Sequence, residues 1–252
     1  MTAPLVPVNV ISIYQVAGHP ASLPKRMAIC TPDMKLAIFN LSAALIDKGG
    51  EFVLSDLFRS YDMQFQAHLD FTSGKKKSFS PAPGGSMHEA GRAFDVDLGS
   101  LKITLSAFWK IAAGFNVVPI NLKPDAAASE AWHFECRGSH QLVYDYYKSG
   151  FGSNFDAPYK AMAASAIAAS GLPVDKFSGK AVGACIQSAL IRLGKNIGNM
   201  DGDVGPKSKA ALTALKLAEL SPEEQFSSLE ALLQKQFPDE YFDRVPDAGV
   251  IQ

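Results

Sequence analysis

Two stretches of the chain concentrate residue types that bind metals and move protons. One is Ser86-Met87-His88-Glu89-Ala90-Gly91-Arg92-Ala93-Phe94-Asp95-Val96-Asp97; the other is Glu130-Ala131-Trp132-His133-Phe134-Glu135. A catalytic zinc takes three protein ligands from imidazole and carboxylate and keeps a fourth position open to water. A nearby carboxylate can then act as general base. His88 stands in a loop flanked by glycines, Asp95 on an adjoining strand and His133 on a second strand. On an extended chain His133 and Glu135 share a face, while Trp132, Phe134 and Cys136 point the other way, into a core. Glu130 falls at the mouth of that strand, where it could reach a metal-bound water.

Competing chemistries fit less well. His88-Glu89 opens like the helical HExxH zinc motif, but position 92 is Arg and Gly91 is a poor helix residue. A Ser/His/Asp set has the residue types, yet no Gly-x-Ser-x-Gly elbow occurs and Ser86 lies between Gly85 and Met87. His19, His68 and His140 each stand alone among polar neighbours and read as structural or solvated. The cysteines are Cys30, Cys136 and Cys185, far apart and without a CxxC, which suits buried thiols better than a disulfide framework or a Cys-type zinc site.

These residues must be positioned by a mixed set of elements. Leu36, Phe39, Leu41, Leu45 and Ile46 recur near helical spacing, predicting a helix over 32–48 that Gly49-Gly50 stop. Residues 51–58 read as a short strand, 61–71 as a helix and the Ser/Gly/Pro/Lys-rich 72–87 as a loop. Lys75, Lys76 and Lys77 in that loop read as a solvated face, or else as charge that holds an anionic polymer. Ala93 to Leu98 alternates, with Asp95 and Asp97 on one face and Phe94, Val96 and Leu98 on the other. A helix over 104–113, a strand over 115–120, the segment 130–136 and a helix over 139–149 complete this part. The expected architecture is α+β: a small antiparallel sheet with flanking helices carrying the zinc site, followed by a small all-α domain. Residues 1–155 form the expected catalytic domain, 156–177 a linker and 178–252 the helical domain.

The spacing resembles a known family. Ser86, His88, Gly91, Ala93 and Asp95 match Ser-x-His-x-x-Gly-x-Ala-x-Asp; Glu130, Trp132, His133 and Glu135 match Glu-x-Trp-His-x-Glu; Arg59, Ser60, Tyr61 and Gln64 match Arg-Ser-Tyr-x-x-Gln. Together, across residues 30 to 150, these look like the zinc-dependent peptidoglycan peptidases that include D-Ala-D-Ala carboxypeptidases and L-Ala-D-Glu endopeptidases. The resemblance implies that His88, Asp95 and His133 bind Zn2+, that Glu130 is general base and then acid, and that Arg59 stabilises the oxyanion. It implies Ser86 and Gln64 as substrate-binding residues, and Asp97 and Glu135 as carboxylates orienting the histidines.

Residues 181 to 218 are similar to the three-helix peptidoglycan-binding module. Gln187, Leu190, Leu193, Gly194, Asp201, Gly202, Gly205 and Ala211 match its Gln-x-x-Leu, Leu-Gly and Asp-Gly-x-x-Gly hallmarks. Asp201-x-Asp203 lacks the remaining ligands of an EF-hand. A plain helical domain with a glycine turn is the alternative.

Composition narrows the partners. In 252 residues, Lys+Arg 24 against Asp+Glu 25 gives a net charge of −1, so no global basic field draws in nucleic acid. No apolar run is long enough to insert in a membrane. Met-Thr-Ala-Pro-Leu-Val-Pro lacks a basic n-region and reads as no classical signal peptide. The expected partner is peptidoglycan, met in the periplasm or outside the cell after delivery by another route. A phage lysin released through a pore, a toxin carried by a secretion machine and countered by an immunity protein, and a non-classically exported enzyme all fit. An endopeptidase suits a two-domain chain acting on a polymer better than a carboxypeptidase. Alternatives from other classes are a non-catalytic zinc module for wall binding or signalling, and a zinc amidase cutting the sugar–peptide link, whose motif spacing differs.

Overall fold

The computed structural model describes residues 4–245. The first residues of the segment read for a leader, and residues 246–252 of the expected C-terminal domain, lie outside the described residues. Eight strands and eight α-helices are formed among the described residues. The strands are β1 Val6–Pro7, β2 Ile11–Val16, β3 His19–Ser22, β4 Ile29–Cys30, β5 Leu54–Asp56, β6 Ala93–Val96, β7 Val117–Pro119 and β8 His133–Cys136. The helices are α1 Pro32–Ile46, α2 Tyr61–Thr72, α3 Leu105–Ala113, α4 Gln141–Lys148, α5 Pro158–Ala169, α6 Ala181–Arg192, α7 Pro206–Ala214 and α8 Pro222–Gln236. The described residues form two compact units: Leu5–Pro81 with Met87–Arg137 and residues 242–245, and Pro4 and Ala82–Ser86 with Gly138–Tyr241.

The first unit is mixed α/β. Its main sheet runs β3-β2-β5-β6-β8-β7, with a separate β1-β4 pair. All neighbours are antiparallel except β2 and β5. Six strands are more than the small, wholly antiparallel sheet expected from the sequence. The extra width comes from the β2–β3 hairpin. Its strands are largely exposed and its turn is Ala17-Gly18, both residues at positive φ. A strand with little buried face writes no apolar alternation into the sequence, so it left no signal.

The core forms where β6 and β8 meet α1 and α3. Phe94 and Phe134 oppose one another across the strands and stack at 5.7 Å, and Phe108 of α3 meets Phe134 edge-on at 4.9 Å. All three are fully buried, with Met34, Ile38, Leu41 and Leu45 of α1 in the same core. Each such side chain contributes roughly 1.5–3 kcal/mol by leaving water. Ser60 and Thr104 cap α2 and α3 by accepting from Met63 N–H and Ala107 N–H. Arg92, just ahead of β6, is fully buried. Its Nη1 donates to Asp33 Oδ2 at 2.8 Å and to the Cys136 carbonyl at 2.9 Å, joining the start of α1 to β6 and the end of β8.

The second unit is helical. The expected linker over 156–177 does not hold: α5 occupies much of it, with nine buried residues, and packs against α4 and α6. Its Ala/Ser composition suggests a linker, but alanine is the best helix former and its small side chain permits close packing. The unit also begins earlier than expected, at Gly138, so α4 belongs to it and not to a first domain ending at 155. Gln187 on α6 explains much of the glycine-rich motif. Its Oε1 accepts from the N–H groups of Asp201 and Gly202, and its Nε2 donates to Asp201 Oδ1 and the Asp203 carbonyl. Gly202 has φ +83°, and a Cβ there would stand 2.5 Å from Lys180 Cβ.

Breaking a buried ion pair from one side costs about 3–5 kcal/mol. Asp33→Ala, which strips the carboxylate from Arg92, is expected to lower unfolding free energy by that amount in urea titration. An unchanged midpoint would show that the pair does not support the sheet.

Candidate metal centre

The strand register sets two of the three predicted ligands. Asp95 on β6 pairs directly with His133 on β8, and Phe94 with Phe134. The period of two along each strand then puts both phenylalanines into the core and turns Asp95 and His133 together to the opposite face. His88 comes from the turn that leads into β6. In that turn the His88 carbonyl accepts from the N–H groups of Gly91 and Arg59. Gly91 is required there: its φ is +64°, and a Cβ would stand 2.9 Å from Cys30 Cα.

The three side chains converge. His88 Nε2 lies 3.2 Å from His133 Nδ1 and 3.3 Å from Asp95 Oδ1, and His133 Nδ1 lies 3.0 Å from Asp95 Oδ1. They are 1%, 8% and 7% exposed for His88, His133 and Asp95. The outward nitrogens are already committed. His88 Nδ1–H donates to the Leu57 carbonyl at 2.7 Å, and His133 Nε2–H donates to Glu135 Oε1 at 3.4 Å. The inner nitrogens, His88 Nε2 and His133 Nδ1, therefore face Asp95 Oδ1 and could each offer a lone pair to a cation placed between them. Tetrahedral zinc with bonds of ~2.0–2.1 Å sets its ligands about 3.3 Å apart. The group fits, and His88, Asp95 and His133 could hold a metal ion.

Without a metal, a proton takes the cation's place. Burial opposes charge on His133, but Asp95 and Glu135 outweigh it and push its pKa up to about 10. Burial alone would raise Asp95; His88 and His133 instead hold it well below the usual carboxylate range. Burial likewise works against Glu135, which His133 and Arg137 hold low, with Arg137 Nε donating to its Oε2 at 2.7 Å.

Glu130 precedes β8 in a tight turn, not on the strand, and its φ is +60°. The left-handed conformation is strained for a side chain of this size and persists only where its surroundings enforce it. Its Oε1 is buried with no hydrogen-bond partner among the described residues. Burial and the charge of Asp95 raise its pKa, opposed by His133, Lys76 and Arg59 in that order. Arg59 is held on three sides: Nε donates to Asp56 Oδ2 at 2.6 Å, Nη1 to Gln64 Oε1 at 3.2 Å and Nη2 to Asp95 Oδ2 at 3.4 Å.

The remaining expected residues fall differently. Gln64 is fully buried, so it is not a substrate-facing residue; its carbonyl oxygen holds Arg59, and its amide donates to Ser80 Oγ and the Pro81 carbonyl. Asp97 orients no histidine. Strand β6 ends at Val96, and Asp97 is exposed, accepting from Gly99 N–H in a turn. Ser86 is buried in the segment 82–86 that clusters with the helical unit, and its substrate role rests on the motif alone. Sequence reasoning missed Asp56, the principal partner of Arg59. The β5–β6 register that pairs it with Asp95 is invisible before folding.

No protein-family model matches the chain, and no curated protein matches it. Solved structures do resemble it. The LD-carboxypeptidase LdcB, whose structure was described for peptidoglycan recognition, aligns at 19% identity and TM-score 0.39, over 52% of this chain and 66% of its own. The chain thus spans just under two thirds of LdcB. The L,D-carboxypeptidase DacB of Streptococcus pneumoniae aligns at 23% identity and TM-score 0.33, over 48% of this chain and 78% of its own. A second structure of DacB, from strain D39, gives 20% identity and TM-score 0.35 over 58% and 91%.

A general base must be ionised to accept a proton. With the Glu130 pKa raised above its ordinary 4.5, hydrolytic activity is expected to fall as pH drops through a value above 4.5. The check is a kcat/KM profile with metal content measured at each pH. A rate flat down to 4.5 in metal-replete protein would remove Glu130 as base.

Proposed function

We propose that this chain is a zinc metallopeptidase that hydrolyses peptide bonds in peptidoglycan stem peptides or cross-links, and so degrades bacterial cell wall. The observation that carries the metal reading is the trio of inward donor atoms at 3.0, 3.2 and 3.3 Å, spacings that suit the ligand edges of tetrahedral zinc. The peptidase reading adds Glu130 and Arg59 beside it. The substrate class is supported by the spacing of the three motifs.

Bound zinc supplies Lewis acidity and makes a water nucleophilic near neutral pH. His88, Asp95 and His133 would hold it, with Glu135 and the Leu57 carbonyl fixing the ring tautomers. Glu130 takes a proton from the attacking water and returns it to the leaving amine as the C–N bond breaks. Arg59, immobilised by Asp56, Gln64 and Asp95, meets the negative charge that grows on the carbonyl oxygen. One preorganised donor of this kind is worth roughly 2.7–4 kcal/mol in the transition state.

The helical unit is proposed as the wall-binding module. A groove of about 910 Å³ runs along α6 and α7 to the start of α8, lined by Val182, Ile186, Val204, Leu212 and Leu220 with Lys180 at its edge. A module retained on the polymer raises the local concentration of scissile bonds. The site of action would be the periplasm or the extracellular wall. Among the described residues no helix is long and apolar enough to cross a membrane.

Glu130→Ala is expected to retain one zinc and lose 10²–10⁴-fold in turnover, on the order expected for a general base. His88→Ala is expected to lose the metal as well. Mass spectrometry of digested muropeptides reads the first and elemental analysis the second. Wild-type hydrolysis by Glu130→Ala would refute the assigned chemistry. Absence of any new fragment with zinc-loaded wild-type protein would favour the non-catalytic module.

A further inference from the structure

The two imidazoles of the centre are steered by unlike groups. His88 Nδ1–H donates to the Leu57 main-chain carbonyl at 2.7 Å, an acceptor fixed by the backbone. His133 Nε2–H donates to a side chain, Glu135 Oε1, at the longer distance of 3.4 Å. A carboxylate on rotatable bonds orients a ring only if it is itself held. Arg137 holds this one: its Nε donates to the other oxygen, Glu135 Oε2, at 2.7 Å.

The period of two along β8 builds the row. His133 and Glu135 share one face of the strand, and Arg137 follows at the next same-face position, one residue past the strand's end. The cross-strand neighbours of Glu135 are Ala93 on β6 and Val118 on β7. Directly opposed residues point to the same face, so the carboxylate stands between a methyl and an isopropyl group, and neither strand offers it a polar side chain at that register. The Glu135 and Arg137 side chains are 9% and 19% exposed. A carboxylate so enclosed depends on its ion-pair partner. His133 faces Asp95 through Nδ1, the ring nitrogen nearer the main chain. Rotation of the ring swings the far nitrogen, Nε2, through the wider arc, so a hold at Nε2 fixes the direction of Nδ1.

We propose that Arg137 is a positioning residue of the metal centre: by clamping Glu135 it keeps the His133 ring turned with Nδ1 inward, and so sets how tightly the centre retains zinc. This rests on the metal reading and extends it outward from the ligands. Charge alone predicts the opposite sign, since removing a cation near a divalent ion should tighten binding of that ion. Orientation and charge are therefore told apart by the direction of the change.

The test uses the full chain and measures the zinc dissociation constant by competition with a chromophoric chelator. Arg137→Met is expected to weaken zinc binding by about tenfold, and Glu135→Ala by about 10–100-fold, the range for groups that orient a ligand histidine. Because Arg137 acts through Glu135, adding Arg137→Met to Glu135→Ala should cost little more than Glu135→Ala alone. Arg137→Lys, which keeps a charged donor, should restore most of the affinity. Where Arg137→Met does not fold, Arg137→Gln takes its place with the same expected direction. Zinc held as tightly or more tightly after Arg137→Met, or a full further loss when that change is added to Glu135→Ala, would overturn the assignment while leaving the metal reading intact. Wild-type protein that binds no zinc would sink the metal reading and this assignment with it.

Discussion

Two imidazole nitrogens and a carboxylate oxygen face one another within 3.0–3.3 Å on largely buried side chains. Such an arrangement repels itself unless a cation fills it. A proton can do so, which is why His133 without metal holds one so tightly; a divalent ion does so with all three donors. Much of the first unit serves this constraint. The β6–β8 register keeps Asp95 opposite His133, the Leu57 carbonyl turns His88, and Gly91 lets the turn pass close to Cys30. The aromatic core beneath the strands stops them from slipping, since a shift of one residue would exchange the ligand face for the phenylalanine face.

Around that centre, the two charged side chains given roles in the proposed chemistry are held by their neighbours. Arg59 spends three of its donors on Asp56, Gln64 and Asp95, which removes its rotamer freedom and fixes its remaining surface. Glu130 sits in a left-handed backbone conformation with a buried oxygen unsatisfied, a cost of about 1–3 kcal/mol that its surroundings must impose. Gln64 extends this order outward to Ser80 and Pro81.

The residues of the His88, Asp95 and His133 cluster were readable because their types are rare together and their spacing is specific, and the strands bearing Asp95 and His133 alternate cleanly. What could not be read were features that depend on contacts distant in sequence. Asp56 belongs to none of the motifs, and its place opposite Asp95 exists only once β5 pairs with β6. Gln64 looked like a substrate residue because the motif places it near Arg59, yet its side chain is wholly enclosed. Asp97 repeated the Asp95 pattern, but the strand stops one residue short of it. The β2–β3 hairpin was missed because its exposed strands carry little apolar period, and α5 because an Ala/Ser run is equally a linker and a close-packed helix. In the helical unit the Gln187 and Asp201-Gly202 pattern was visible, and the folded chain supplies its physical reason: one amide satisfies the backbone of the turn.

Zinc-edge X-ray absorption on protein reconstituted with one equivalent of zinc addresses the central claim most directly. The expected spectrum contains two imidazole nitrogens and carboxylate oxygen at about 2.0–2.1 Å with no sulfur in the shell. A sulfur neighbour near 2.3 Å, or zinc that washes away on gel filtration, would mean that His88, Asp95 and His133 do not form a metal centre.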